Sequence, residues 1–219
     1  MEDKELTMKN SNFEVILAND PWSRRIHYQL RYQVFCLETG YEDPDQFPDG
    51  EEKDEWDHDA THFLVQEKDT GQWVAAMRLV LSSAQTLPIE KRVAIESSSR
   101  RDQRHCAEIS RLCMVGHYRR RLQGRIMPCS NLPPSNKQVG QGGVQSELVK
   151  QQRTAEILQV LLKAAVSVSC ERAICYWYML TTRALAKILG YVFQWICNWL
   201  GHRVHIVVNA TRFWWTSAK

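Results

Sequence analysis

Apolar positions along this chain follow two different periods. Alternation, or a short unbroken apolar run, marks strands at "FEVILA" (13–18), "THFLVQEK" (61–68), "QWVAAMRLVL" (72–81), "AEISRLCMV" (107–115), "AICYWYML" (173–180), "YVFQWIC" (191–197) and "RVHIVVN" (203–209). Helical spacing marks residues 20–40, where Ile26, Leu30, Val34 and Leu37 recur on one face. Asp20 is placed to cap that helix, Pro21 suits its first position, and Gly40 stops it. A second helix is predicted over 152–172, lined by Ile157, Leu161, Ala164, Ala165 and Val168, and a short one over "TTRALAKILG" (181–190). The turn "DTG" joins the second and third strands as a hairpin. Residues 86–106 read as irregular or weakly helical, and 122–152, rich in Pro, Gly, Ser, Asn and Gln, as a mobile loop. This order predicts an α+β layer fold, with mostly antiparallel strands and a few packed helices. The strand at 107–115, the long helix and the strand at 173–180 can also make a βαβ crossover. The expected division is a flexible N-terminus (1–12), one domain (13–209) and a divergent tail (210–219).

Composition narrows the class. With 44% hydrophobic and 24% charged residues in 219, the chain reads as an ordinary soluble globular protein. No apolar run reaches the length of a membrane span, and the polar start "MEDKELTMKN" is not a secretory signal, so a cytoplasmic location is expected. Seven scattered cysteines without a C-x-x-C pair favour reduced thiols over a disulfide framework or a zinc site. His58 and His62 stand four apart without a supporting cluster, so no metal is expected. The net charge of +3 hides an asymmetry. Residues 42–59 hold ten acids against Lys53 alone, whereas 91–125 hold ten Lys and Arg against three acids. That pattern suggests a bipolar surface with a basic patch for an anionic partner, or else two solvated loops. Without interleaved aromatics the basic segment does not read as a nucleic-acid surface.

Several polar residues sit where a core should be bland. Arg31 and Phe35 share a helical face one turn apart. Asp54 and Asp57 stand on either side of Trp56, just ahead of a strand, and Arg78 lies within one. Glu108, Ser110 and Arg111 interrupt another strand, although burying unpaired charge is costly. On a regular strand Glu108, Ser110, Leu112 and Met114 face one way, and Ile109, Arg111 and Cys113 the other. Either Arg111 braces the far face, or a β-bulge re-aims it toward Glu108.

Together, R-x-x-x-F (Arg31, Phe35), Tyr41, D-x-W-D (Asp54, Trp56, Asp57), Arg78 on a hairpin strand and E-x-S-R (Glu108, Ser110, Arg111) resemble the acyl-homoserine-lactone (autoinducer) synthases, which carry Trp in place of Tyr41. The chain looks closer still to a sister group, the long-chain N-acyl amino acid synthases, including the acyltransferases associated with PEP-CTERM–exosortase systems. "RYQVFCLETGYEDPDQFPDGEEKDEWDHDATHFLVQEKDTG", "LPIEKR", "AEISRLCMV" with the following "YRRR", and "WYMLTTRALAKILGYVFQ" carry that likeness, over residues 13 to about 195.

The resemblance implies a fold of the GCN5-related N-acetyltransferase (GNAT) type, an α/β/α sandwich whose sheet splays around an acyl thioester. It implies transfer of a long-chain fatty acyl group from a phosphopantetheine thioester, on acyl-carrier protein or coenzyme A, to the amine of an amino acid. No permanently bound cofactor is implied; the thioester is a co-substrate, and acyl-carrier protein and the amino acid are the partners. Glu108 would be the base, and a backbone N–H around Leu112 to Met114 the oxyanion donor. Arg78 and Arg111, with Arg31 as a further candidate, would clamp the substrate carboxylate. Asp54 and Asp57 would hold the arginines, through Asp57–Arg78 or Asp54–Arg31. Phe35, Tyr41, Trp56 and Ser110 complete the expected substrate site, and a bulge near Arg111 is favoured. Arg119, Arg120 and Arg121, which lack the glycine pattern of a coenzyme A loop, suit one phosphate and an acidic carrier protein. Val160, Leu161, Trp177, Met179, Phe193 and Trp195 could line an acyl tunnel or simply be core. An acyl-homoserine-lactone synthase and a non-catalytic GNAT-fold binding module are the alternatives; the longer chain and the acidic loop tilt against the first. Oligomeric state and a weak membrane contact of the Trp-rich tail stay open.

Overall fold

The computed structural model describes residues 11–82, 86–92, 105–118, 141–181, 189 and 205–209. The Arg119–Arg121 triplet, the segment holding Phe193 and Trp195, most of the short helix expected at 181–190, and the tail lie outside the described residues.

One six-stranded sheet runs in sequence order. Its strands are β1 (Phe13–Leu17), β2 (Ala60–Glu67), β3 (Trp73–Leu81), β4 (Cys106–Met114), β5 (Tyr176–Leu180) and β6 (His205–Asn209). Neighbours from β1 to β4 are antiparallel, while β4–β5 and β5–β6 are parallel. The hairpin between β2 and β3 turns where predicted, with Gly71 at φ 67°, a conformation that suits glycine.

Helices cover both faces. The long helix, α3 (Gln141–Glu171), lays Ile157, Leu158, Leu161 and Ala165 on Met77, Leu79, Ile109 and Met114. It forms the β4–α3–β5 crossover foreseen in the sequence. It also begins eleven residues before the expected 152, because "VQSELVKQQR" after the glycines is made of good helix formers that extend the apolar half. The mobile loop expected over 122–152 is therefore helical from Gln141 on.

The opposite face carries α1 (Pro21–Tyr32) and the five-residue α2 (Pro88–Arg92). Asp20 caps α1 as predicted, accepting from the backbone N–H groups of Trp22 and Ser23. The buried stripe of α1 differs from the one expected: Ser23, His27, Leu30, Arg31 and Val34 face the sheet, Ile26 is only partly buried, and Leu37 is 64% exposed. The outward turn of Leu37 follows from a π-helical turn, Gln33–Glu38, directly after α1. A π turn holds more residues than an α turn, so positions after it rotate out of the expected face.

Candidate active site

Two short-range features of the chain aim the charged residues inward. The first is a 3₁₀ turn, Glu55–Asp57, closed as a capping box: the Asp54 side chain accepts from Trp56 N–H at 3.0 Å, and the Asp57 side chain accepts from Asp54 N–H at 2.8 Å. This fixes both carboxylates toward the sheet. The second is a bulge in β4. Arg78 pairs with Ser110 and Ala76 with Cys113, so Arg111 and Leu112 together oppose one residue of β3. Arg111 takes φ 51°, the left-handed conformation that lets the extra residue be absorbed.

The bulge resolves the alternation problem in the strand. Arg111 joins Glu108 and Ser110 on the α1 side of the sheet. Cys113 joins them too, packing with Leu30, Val34 and Leu64. Leu112 and Met114 are thrown to the α3 side, Met114 within the main core and Leu112 packed against it. The side chains of Leu112 and Met114 therefore do not share Glu108's face, and only backbone near the bulge can serve the cleft.

The arginines and acids form one network. Arg31 donates to Asp57 at 2.6 Å and Glu52 at 2.5 Å. Arg78 donates to Asp54 at 2.5 and 3.1 Å, to Asp57 at 2.8 Å and to the Ser110 hydroxyl at 3.2 Å. Arg111 lies 3.1 Å from Glu52, 3.3 Å from Glu42 and 3.4 Å from Asp54, with its guanidinium 5.7 Å over the Phe35 ring. The Asp57–Arg78 pair forms as expected. Asp54–Arg31 does not: Asp54 serves Arg78 and Arg111, and Glu52 takes its place on Arg31. Burial opposes ionisation of Asp57, but Arg31 and Arg78 outweigh it and hold its carboxyl well below the usual range. For Arg31 burial likewise opposes the charge, and Asp57 and Glu52 more than restore it.

Arg31 and Arg78 have 0% exposed side chains and pair with carboxylates, so neither guanidinium reaches solvent. Arg111, 20% exposed, is the arginine of this cluster that reaches solvent. Beside the network, His27 and His62 stack edge to face, ring centroids 4.6 Å apart. Each uses Nε2 on a backbone carbonyl, Met77 and Asp57 respectively. Burial pushes His62 down to about 4 and His27 well below its ordinary value, so both are neutral.

Glu108 stands apart from these ion pairs. It is 3% exposed and lies among Val80, Leu87, Ile89, Cys106 and Tyr178. Its Oε2 accepts the Ile89 N–H at 2.7 Å. Burial raises its carboxyl to about 7, against the opposing pull of the Ile89 N–H, Arg78, Arg111 and Arg92. Its location is as telling as its state. β4 and β5 pair only at Cys106–Tyr176, Ala107–Trp177 and Glu108–Tyr178, although both strands continue. The strands part at Glu108, and the wedge beyond it is flanked by the bulge.

A sheet with that parting between strands, entered from an antiparallel hairpin and followed by a crossover helix, can be matched to known proteins. Residues 30–127 match a family model described as an acetyltransferase (GNAT) domain. The fold is a GNAT fold. The matched stretch contains the whole charged network and Glu108. Among solved structures, TofI in a ternary complex with an inhibitor and MTA superposes with TM-score 0.51 at 17% identity, over 82% of this chain and 77% of that one. BjaI, a CoA-dependent acyl-homoserine lactone synthase solved with SAM and isopentyl-CoA, superposes with TM-score 0.53 at 13% identity, over 93% and 96%. At these identities the likeness is one of fold. No curated protein matches the chain.

Other expected site residues fall in varied places. Phe35 lies under the Arg111 guanidinium, whereas Arg31 stands over Tyr28. Tyr41 is 58% exposed. Trp56 packs against the Glu108 surroundings, donates its indole N–H to the Thr86 carbonyl at 3.0 Å, and carries the Lys91 ammonium 4.5 Å over its ring. Val160, Leu161, Trp177 and Met179 are core between α3 and the sheet, with the Trp177 indole bonded to Ser169, rather than a tunnel wall. Glu52 is the residue that sequence reasoning missed. It is 0% exposed, yet in the sequence it is one acid among ten in a loop with no period to set it apart. No helix among the described residues is long and apolar enough to cross a membrane.

Proposed function

We propose that the protein is an N-acyltransferase that moves a long-chain fatty acyl group from an acyl-carrier-protein or coenzyme A thioester to the amine of an amino acid. The observation that carries this reading is Glu108: a buried carboxyl, raised to about 7, at the point where β4 and β5 part. A free amino acid is mostly ammonium at neutral pH, and only the amine attacks a thioester. A carboxylate with an ordinary pKa is too weak to take that proton, whereas one matched to neutral pH is suited to it. The amine nitrogen bonds to the thioester carbonyl carbon, the C–S bond breaks, and the thiol leaves with a proton. A backbone N–H at the Arg111–Leu112 bulge is the candidate donor to the oxyanion. Arg111 is the candidate for the substrate carboxylate, and Arg119, Arg120 and Arg121 for the acidic carrier protein.

A second reading, an acyl-homoserine-lactone synthase, is supported by the fold likeness to BjaI, whose acyl-CoA ligand also supports coenzyme A as donor. Purified protein is incubated with long-chain acyl-carrier protein or acyl-CoA and either a panel of amino acids or SAM, and products are read by mass spectrometry. N-acyl amino acids support the first reading and acyl-homoserine lactone the second. Absence of both, with every donor, favours a binding module. Glu108→Gln serves as the control that must lose product.

A further inference from the structure

Glu108 depends on a neighbour that is not itself catalytic. Ile89 reaches it only because the turn at 86–92 is pinned to the rest of the domain. Leu87 and Ile89, each 2% exposed, anchor the turn from below, in the cluster with Val80, Cys106 and Tyr178. Glu90 accepts the Leu87 N–H at 3.0 Å and closes the turn on itself. From above, Trp56 holds the Thr86 carbonyl, and Lys91 sits on the Trp56 ring while pairing with Glu55 at 2.7 Å. Trp56 and Glu55 belong to the same 3₁₀ turn whose Asp54 and Asp57 hold Arg78. One short turn thus sets the ion-pair network on one side and the Ile89 N–H on the other.

We propose that Trp56 and Lys91 are positioning residues for Glu108: by clamping the 86–92 turn they hold the Ile89 N–H on Oε2, which leaves Oε1 to accept the substrate proton. The clamp rests on the N-acyltransferase reading for its purpose, but not for its geometry. Other groups that act on Glu108 are Arg78 from β3, Arg111 from its own strand and Arg92 from α2; Tyr178 is its neighbour across the β4–β5 pair. Arg78 and Arg111 lie off the clamped turn; Arg92 lies on it and moves with Ile89, so its loss of contact shifts Glu108 in the same direction.

Trp56→Phe keeps an aromatic ring for Lys91, smaller than the indole, and removes the indole N–H. A hydrogen bond to a carboxylate favours the charged form, so loosening Ile89 makes Glu108 hold its proton more tightly. The titration of Glu108 is followed by infrared difference spectroscopy, its carboxyl band identified by its loss in Glu108→Gln. The midpoint in Trp56→Phe rises by about half a unit to one unit. Lys91→Met, an exposed substitution that spares the fold, moves it the same way by less. The acid limb of kcat/KM moves in parallel: about threefold to tenfold lower activity near pH 6, with recovery at high pH. A packing role alone would lower activity equally at every pH. An unchanged infrared midpoint in both variants, or a rate loss that does not recover at high pH, overturns the clamp. If the midpoint moves while the wild-type protein makes no N-acyl product, the clamp stands and the reaction reading falls.

Discussion

Asp57 and Glu108 are buried acids on the same side of one sheet, 4% and 3% exposed, and they are held in opposite states. Asp57 receives two guanidinium groups and a backbone N–H, which keep it ionised despite its burial. Glu108 receives one backbone N–H among apolar side chains, so burial dominates and its proton stays until about pH 7. The difference separates structure from chemistry. A carboxylate that is charge-matched holds its neighbours in place, whereas one left almost alone beside an opening can exchange a proton. Pairs of acids whose environments push them apart are the usual sign of divided roles.

The comparison breaks most readily on the matched side. Asp57→Asn strips Arg31 and Arg78 of a shared carboxylate and should cost about 3–5 kcal/mol, the range for a broken buried pair. Urea unfolding measures it; a loss under about 1 kcal/mol would mean that Glu52 and Asp54 suffice for both arginines.

The pH dependence of stability sharpens it next. His62 has a folded value of about 4, below its ordinary 6.5, so its stabilising share is complete above pH 6.5 and drains as pH falls toward 4, by about 3 kcal/mol. Glu108 has the reverse sign. Its folded value, about 7, lies above 4.5, so the fold is penalised as pH rises between the two. Glu108 therefore opposes His62, while His27, also held below its ordinary value by burial, adds to the His62 side. Glu108→Gln should expose the histidine slope and raise stability at pH 8 by about 1–3 kcal/mol, with no gain at pH 4. His62→Gln should reduce that slope, leaving His27 to oppose Glu108. Parallel curves for all three proteins, from thermal melts across pH, would contradict the assigned environments.

The smallest effect belongs to the solvent edge. Arg111→Lys keeps the charge but loses the fork that spans Glu42, Glu52 and Asp54 and the stacking on Phe35. A stability loss of about 1 kcal/mol is expected, together with a raised KM for the amino acid; an unchanged KM removes Arg111 from substrate contact.

Much of this was legible before any coordinates. The strands and the crossover follow from periodicity, and Glu108 stood out because a strand rarely carries an unmatched acid. The bulge at Arg111 was one of two options that alternation left open, since the left-handed residue that decides it leaves no mark on the hydrophobic pattern. Three features were beyond sequence patterns. The π turn after α1 adds to the turn without changing composition, so it moved Leu37 outward unannounced. Glu52 is chosen from ten acids by tertiary contact with Arg31 and Arg111. Arg31 and Arg78 read as clamps braced by Asp54 and Asp57, because sequence shows neither their burial nor how many carboxylates each guanidinium meets.

The central claim is that Glu108 takes the proton from the attacking amine. Its most direct test is the initial rate of N-acyl product formation against pH, for wild type and Glu108→Gln, with donor saturating. The account predicts a wild-type rate that rises through about pH 7 and a variant slower by about 10²–10⁴. A Glu108→Gln protein within about twofold of wild type, with the same acid limb, would contradict it.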